Sequence, residues 1–195
     1  MIKYRYYLWY KFFNSLFLGL TVGSIFVLYT PLQPSIYSLG GIALAIGMLI
    51  IAKFYENIMN IKAFFLITLF VELTVLAFII SFLVLNYSYT TALIVYIGYQ
   101  ITFVFGSYLV RMETIALKKT ILLSFADVAK QKGYLLGLVM SYIFYKTLEY
   151  FGIMQKQLQV YDLYIFALII QLLILDLVIK SFLFKGDKSA GEKVL

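Results

Sequence analysis

The residues of this chain that could do chemistry are few, and most of them interrupt long apolar runs. Glu72 has no basic residue within a helical turn on either side, Gln100, Lys146 and Gln171 stand in hydrophobic surroundings, and Asp176 precedes Lys180 by four residues. Asn14 is a further polar candidate in the first apolar block. There is no cysteine and no histidine. Thiol chemistry, iron–sulfur clusters, cysteine-based zinc sites and histidine-dependent acid–base catalysis are therefore excluded. The usual axial ligand of a membrane haem is missing as well. No HExxH, GxSxG or Walker pattern occurs, and the hydroxyl residues have no histidine to activate them. The chain is not expected to be an enzyme, and no metal or cofactor site is expected. What remains is the chemistry of isolated carboxyl, amide and amine groups in a low-dielectric setting, which bind solutes or move protons.

The elements that position these groups follow from composition. Apolar residues make up 64% of the 195 positions and charged residues 13%, against about 45–50% and about 25% in soluble domains. A helix needs about 20 mostly apolar residues to cross the hydrocarbon. Six stretches qualify, at 12–29, 35–55, 63–85, 91–111, 133–151 and 163–184. The predicted fold class is thus all-α integral membrane with six transmembrane helices in a single domain 1–184, followed by a tail 185–195. The basic, aromatic opening MIKYRYYLWYK has no small-residue cleavage site after it, so the first span is expected to be retained. Trp9 and the tyrosines around it suit the headgroup layer.

Charge orients the bundle. Of the 16 basic residues, 14 fall before span 1, from the last turn of span 2 to the start of span 3, from the last residue of span 4 to the start of span 5, or from Lys180 near the end of span 6 onward. The positive-inside rule then puts both termini in the cytoplasm. The net charge of +7 needs no nucleic acid to explain it, although anionic lipid should be attracted. The membrane expected is the bacterial inner membrane. Segment 112–132 is basic, and its apolar residues Ile115, Leu117, Ile121, Leu122, Phe125 and Val128 recur at roughly helical spacing. It reads either as an amphipathic helix lying on the cytoplasmic surface or as an extension of span 4.

Counted at about 1.5 Å per residue, Glu72 lies roughly 15 Å deep, near the midplane. Gln100, Lys146 and Gln171 come out at similar depth and Asp176 somewhat nearer the cytoplasm. Tyr96, Tyr99, Tyr142 and Tyr145 could line a cavity in the same layer. Asp176 and Lys180 have the spacing and order of an intrahelical ion pair, and Lys146 can reach Glu149 and snorkel outward. Glu72 must find a partner on another helix, with Lys146 the first candidate, or stay protonated. It is the candidate for substrate binding or ion coupling.

Small residues mark where helices approach closely. Gly133, Gly137 and Ser141 share one face of span 5, Gly41 and Ala45 share a face of span 2 with Ala43 and Gly47 beside them, and span 1 has Gly19 and Gly23. In layout the chain resembles one half of a major facilitator superfamily transporter. The features that carry the resemblance are the turn 29–34 after span 1, the glycine-rich second span, and the long basic loop ending in Lys132 and Gly133. The family's charged loop motif between spans 2 and 3 aligns with AKFYENIMNI at 52–61, where the acidic position is kept as Glu56 and Lys62 stands nearby. The resemblance implies two inverted three-helix repeats and a gating role for Glu56 and Lys62. It also implies an interface between halves built from spans 2 and 5. A half-size chain would meet it by forming a homodimer, using Gly41, Ala45, Gly47, Gly133, Gly137 and Ser141. The function expected is a homodimeric half-size carrier of a small solute, with a central cavity lined by two copies of Glu72, Gln100 and Lys146. The alternatives are a solute-binding subunit of a multi-component importer and a non-transporting membrane accessory protein.

Overall fold

The computed structural model describes residues 2–182; the expected tail 185–195, the basic residues Lys185, Lys188 and Lys193, and the last two positions of span 6 lie outside them. The described chain is helical apart from its turns and one isolated antiparallel bridge between Ile2 and Phe182. The helices are α1 (Tyr4–Thr21), α2 (Ile25–Leu28), α3 (Pro34–Lys53), α4 (Tyr55–Ile58), α5 (Ile61–Val84), α6 (Tyr89–Val104), α7 (Gly106–Leu117), α8 (Thr120–Tyr150) and α9 (Lys156–Ser181). A single 3-10 turn at Val22–Ser24 joins α1 to α2.

Local chemistry sets several of these boundaries. Pro34 opens α3 at the one helical position where its missing N–H is not needed. The Asn60 side chain accepts from the Ala63 N–H at 2.9 Å to cap α5, and Ser88 caps α6 by accepting from Thr91 at 3.2 Å. Gly152, at φ +84°, supplies the left-handed residue that ends α8. Lys118, at φ 57°, is the one non-glycine residue in that region among the described residues, and it separates α7 from α8.

Five helical stretches are long and apolar enough to cross a membrane: Tyr4–Leu28, Pro34–Lys53, Ile61–Val84, Tyr89–Leu117 and Lys156–Ser181. The expected fifth span is the exception. It lies within α8, the longest helix at 31 residues, whose apolar run is diluted by tyrosines, glycines and Lys146. The segment 112–132 is not a separate surface helix. Its first part continues α7 as far as Leu117, and from Thr120 onward it is the opening of α8.

The core is built from α1, α5, α6 and α9. Helix α9 runs antiparallel to both α5 and α1, as the ring contacts Phe64 to Phe182, Phe82 to Tyr164 and Tyr7 to Phe182 require. Helix α5 runs antiparallel to α6, with Phe78 against Tyr99 and Phe70 against Phe105. Two helices flank this core. Helix α8 lies parallel to α1, and α3 lies parallel to α6.

The two flanking seams are made differently. A methyl group placed on Gly133 would meet the Phe12 carbonyl oxygen, one on Gly137 the Leu16 carbonyl oxygen, and one on Gly19 the Tyr134 carbonyl oxygen. Backbone therefore touches backbone all along the α1/α8 seam, as small residues permit. On α3, Gly40 faces the Tyr96 ring and Gly47 the Val104 side chain, and no residue of α3 is buried. The span 5 glycines and the buried Ser141 are thus used inside the subunit, which corrects their expected place between two copies: that face is already covered by α1. In span 2, Gly41 has open space around it, and Ala45 is exposed.

Candidate functional site

Three of the polar candidates meet in the core. Glu72, on α5, is 1% exposed and Gln171, on α9, fully buried. The Gln171 Nε2 donates both to Glu72 Oε2 at 2.9 Å and to the Glu72 backbone oxygen at 3.0 Å. From α1, Asn14 Nδ2 donates to Glu72 Oε1 at 2.9 Å and the Tyr10 hydroxyl donates to the same oxygen at 3.0 Å. Asn14 and Tyr10 are four residues apart, so both project from one face of α1 onto one carboxyl group.

Three donors and no acceptor surround the two oxygens of Glu72, which is the complement of a carboxylate. The Tyr10 hydroxyl and the Asn14 amide can each turn to accept instead. A proton on Glu72 therefore calls for Tyr10 or Asn14, both on α1, to exchange a donor for an acceptor. Two neighbouring polar atoms, Gln171 Oε1 and the Thr68 hydroxyl, have no hydrogen-bond partner among the described residues. Among the described residues no cation is paired with Glu72.

A second cluster lies at the basic end of the bundle and was not singled out from the sequence. Glu113, on α7, is 3% exposed. Its Oε2 receives Lys11 from α1 at 3.3 Å and Lys130 from α8 at 2.9 Å. The Tyr7 hydroxyl faces the same carboxylate without hydrogen-bonding geometry, and Glu113 Oε1 has no partner. Lys130 also meets Asp127 at 3.1 Å, on the exposed side of α8. Lys11 packs over the rings of both Tyr7 and Tyr10, 5.3 and 5.1 Å from their centroids. It thus stands between the Glu113 cluster and the Glu72 network. The sequence signal was available: Glu113 falls where lysines dominate, and an acid in a basic segment has partners to choose from.

The remaining candidates are dispersed. Lys146 is exposed on α8 and pairs with Glu149 at 2.7 Å, so it does not reach Glu72. Asp176 and Lys180 form an exposed intrahelical pair at 2.6 Å. Gln100 lines an apolar groove of about 510 Å³ between α3 and α6, and its Oε1 is buried without a partner. Of the tyrosines expected in the same layer, Tyr96 and Tyr99 are buried against neighbouring rings, Tyr142 is exposed and Tyr145 half-buried. Glu56 and Lys62 are both exposed at the α4/α5 turn. Within the subunit Glu72, Gln100 and Lys146 therefore do not line one cavity: the first is sealed in the core, the second faces α3, and the third points outward.

A buried carboxyl group held by neutral donors on two other helices can bind a proton, or clamp three helices together. Among the described residues no three acidic, histidine or cysteine side chains converge as a metal site would need. Neither a protein-family profile, nor a curated protein, nor a solved structure matches this chain.

Proposed function

We propose that the chain is a half-size membrane carrier subunit for a small solute, and that protonation of Glu72 is coupled to movement of α1 against α5 and α9. The observation that carries this reading is Glu72 itself: a carboxyl group in the middle of an apolar helix, 1% exposed, with neutral donors from α1 and α9 and no ion pair. Ionisable groups at such depth are costly and mark ion or substrate pathways by default.

Two features support a six-span topology with both ends on one side. The Ile2 to Phe182 bridge, with Lys3 N–H donating to the Ser181 oxygen at 2.8 Å, joins the start of α1 to the end of α9. An even number of crossings is needed for that, and α8 supplies the sixth. The helix neighbours also map onto themselves when α1, α3 and α5 are exchanged with α6, α8 and α9. The parallel seam α1/α8 becomes α6/α3, the antiparallel pair α1/α9 becomes α6/α5, and α5/α9 is unchanged. That pattern is what two inverted three-helix repeats would produce, as in half of a major facilitator fold. In a homodimer the contact between copies then falls to α3, which buries nothing within the subunit.

The test is reconstitution into proteoliposomes containing a pH-sensitive dye, challenged with a panel of amino acids, sugars, nucleosides and organic acids. A solute that drives proton movement in the wild type and not in Glu72→Gln supports the reading. Solute uptake that ignores both the pH gradient and Glu72→Gln removes the coupling role.

A second reading, a non-transporting accessory protein, is favoured by the dispersal of Gln100 and Lys146 away from Glu72. It predicts no flux with any of the panel and stable capture of another membrane protein after cross-linking in native membranes.

A further inference from the structure

The α1/α8 seam is closed through its glycines, and just beyond Gly133, toward the basic end, it opens. There α8 carries Phe125, Val128 and Ala129 in place of glycines, and α1 carries Leu8, Trp9 and Phe12. The helices part to leave a groove of about 430 Å³ with an apolar and aromatic floor. Its remaining lining residues are Arg5 from α1 and Lys132 from α8, both exposed.

These two cations differ from the others nearby. Lys11 and Lys130 are held by Glu113, whereas neither Arg5 nor Lys132 is in an ion pair among the described residues. Among the described residues no acidic side chain lines the groove, and the neighbouring Asp127 is engaged by Lys130. The two cations rim the apolar floor at its ends, Arg5 level with Phe125 at the outer end and Lys132 level with Phe12 about 10 Å further in; such a groove matches an amphiphile with an anionic head, and basic pockets between helices at this level are suited to lipid headgroups. A free anion would use the rim and leave the floor uncovered. Trp9, 49% exposed, sits at the level where tryptophan favours the interface.

We propose that this groove is a binding site for one anionic phospholipid, its phosphate at the outer end held by Arg5 with the Lys132 side chain leaning back toward it, and its acyl chain lying inward over Leu8 and Phe12. The site is independent of what the chain carries, so it stands or falls apart from the transport reading.

Trp9 is the only tryptophan in the chain, which makes it a reporter inside the groove. The full-length protein in neutral detergent micelles is titrated with phosphatidylglycerol or phosphatidylcholine carrying brominated acyl chains, and quenching of Trp9 is followed. Two cations near a headgroup should make the anionic lipid quench saturably at on the order of tenfold lower mole fraction than the neutral one. The double variant Arg5→Gln/Lys132→Gln should bring the two curves together with its circular dichroism unchanged. The charge-matched control Lys53→Gln/Lys62→Gln should keep the preference. Equal quenching by both lipids in the wild type, or a preference surviving in the double variant, would overturn the proposal. So would an equal loss in the control, which would assign the effect to overall charge. Displacement of the lipid by millimolar inorganic phosphate alone would assign the rim to free anions and overturn it too.

Discussion

Replacing Glu72 with glutamine separates a coupling carboxyl from a structural clamp, because the two make different demands on stability. Burying an ionised carboxyl near the bilayer centre costs at least about 2.5–3.5 kcal/mol. Hydrogen bonds between helices in a membrane return about 0.6 kcal/mol each on average and at most about 1.7. The three side-chain donors on Glu72, from Tyr10, Asn14 and Gln171, thus offset about 2–5 kcal/mol, and the group is close to break-even. Glutamine keeps the shape, removes the charge penalty and turns one acceptor oxygen into a donor. If that NH2 takes the Oε2 position it opposes the Gln171 amide. If it takes the Oε1 position, Tyr10 and Asn14 can rotate to accept. One bond is lost in the worst case, about 0.6–1.7 kcal/mol, against a larger relief of desolvation. Glu72→Gln is therefore expected to leave stability within about 2 kcal/mol of wild type, on the neutral or stabilising side. The measurement is unfolding by sodium dodecyl sulfate titration in bicelles, followed by circular dichroism. A loss above about 3 kcal/mol would refute the reasoning and make Glu72 a structural clamp.

Two further predictions concern the seams and the second cluster. Alanine at Gly137 should cost about 1–3 kcal/mol or more in the same titration, because its methyl would meet Leu16 and Leu20 backbone atoms that cannot yield. Alanine at Gly47 meets only the Val104 side chain and should cost less than about 1 kcal/mol; the reverse order would show that the α1/α8 seam is loose. Glu113→Gln leaves Lys11 without a counter-charge and Lys130 with the exposed Asp127 alone. Breaking a fully buried pair costs about 3–5 kcal/mol, and because Lys130 is 28% exposed the expectation is reduced to about 1–3 kcal/mol. Asp127→Asn, at a 70% exposed carboxylate, should change stability by less than about 0.5 kcal/mol. Equal effects of the two would show that burial of Glu113 does not matter.

What could be read from the sequence was the membrane class, the apolar helices and the burial of Glu72 in one of them, because length, hydropathy and an acid without a local partner are all one-dimensional signals. The Asp176 and Lys180 pair was legible for the same reason: its partners lie on one helix. The convergence of Asn14, Gln171 and Tyr10 on Glu72 was not, since it depends on how α1 and α9 are rotated about their axes, which three nearly featureless apolar helices do not encode in their patterning. Tyr10 was hidden further by its company, in an aromatic run that reads as an interfacial belt. The glycines of span 5 were recognised as a contact face, but small residues record closeness without naming the neighbour. Here the neighbour is α1 of the same chain. Segment 112–132 left two readings open because a charged extension of an apolar helix has the same periodicity as a helix lying on the surface, and neither reading named α8, whose opening most of the segment is.

The two parallel flanking pairs show how one architecture gives unequal mobility. Along α1/α8 the contact is backbone to backbone at Gly19, Gly133 and Gly137, and backbone cannot change rotamer, so the two helices can move only together. Along α3/α6 the contacts pass through the Tyr96 ring and the Val104 side chain, a groove of about 510 Å³ remains, and every residue of α3 is at least partly accessible. Side chains can rotate and a groove can close, so α3 can shift where α8 cannot. Glu72 lies on the far side of α1 from α8. A movement of α1 against α5 and α9 at Glu72 would therefore carry α8 with it, with the 3-10 turn at Val22–Ser24 as the interruption in the first span. The Glu113 cluster links α7 to both members of the pair through Lys11 and Lys130, and it sets how far such a movement can go before an ion pair must break.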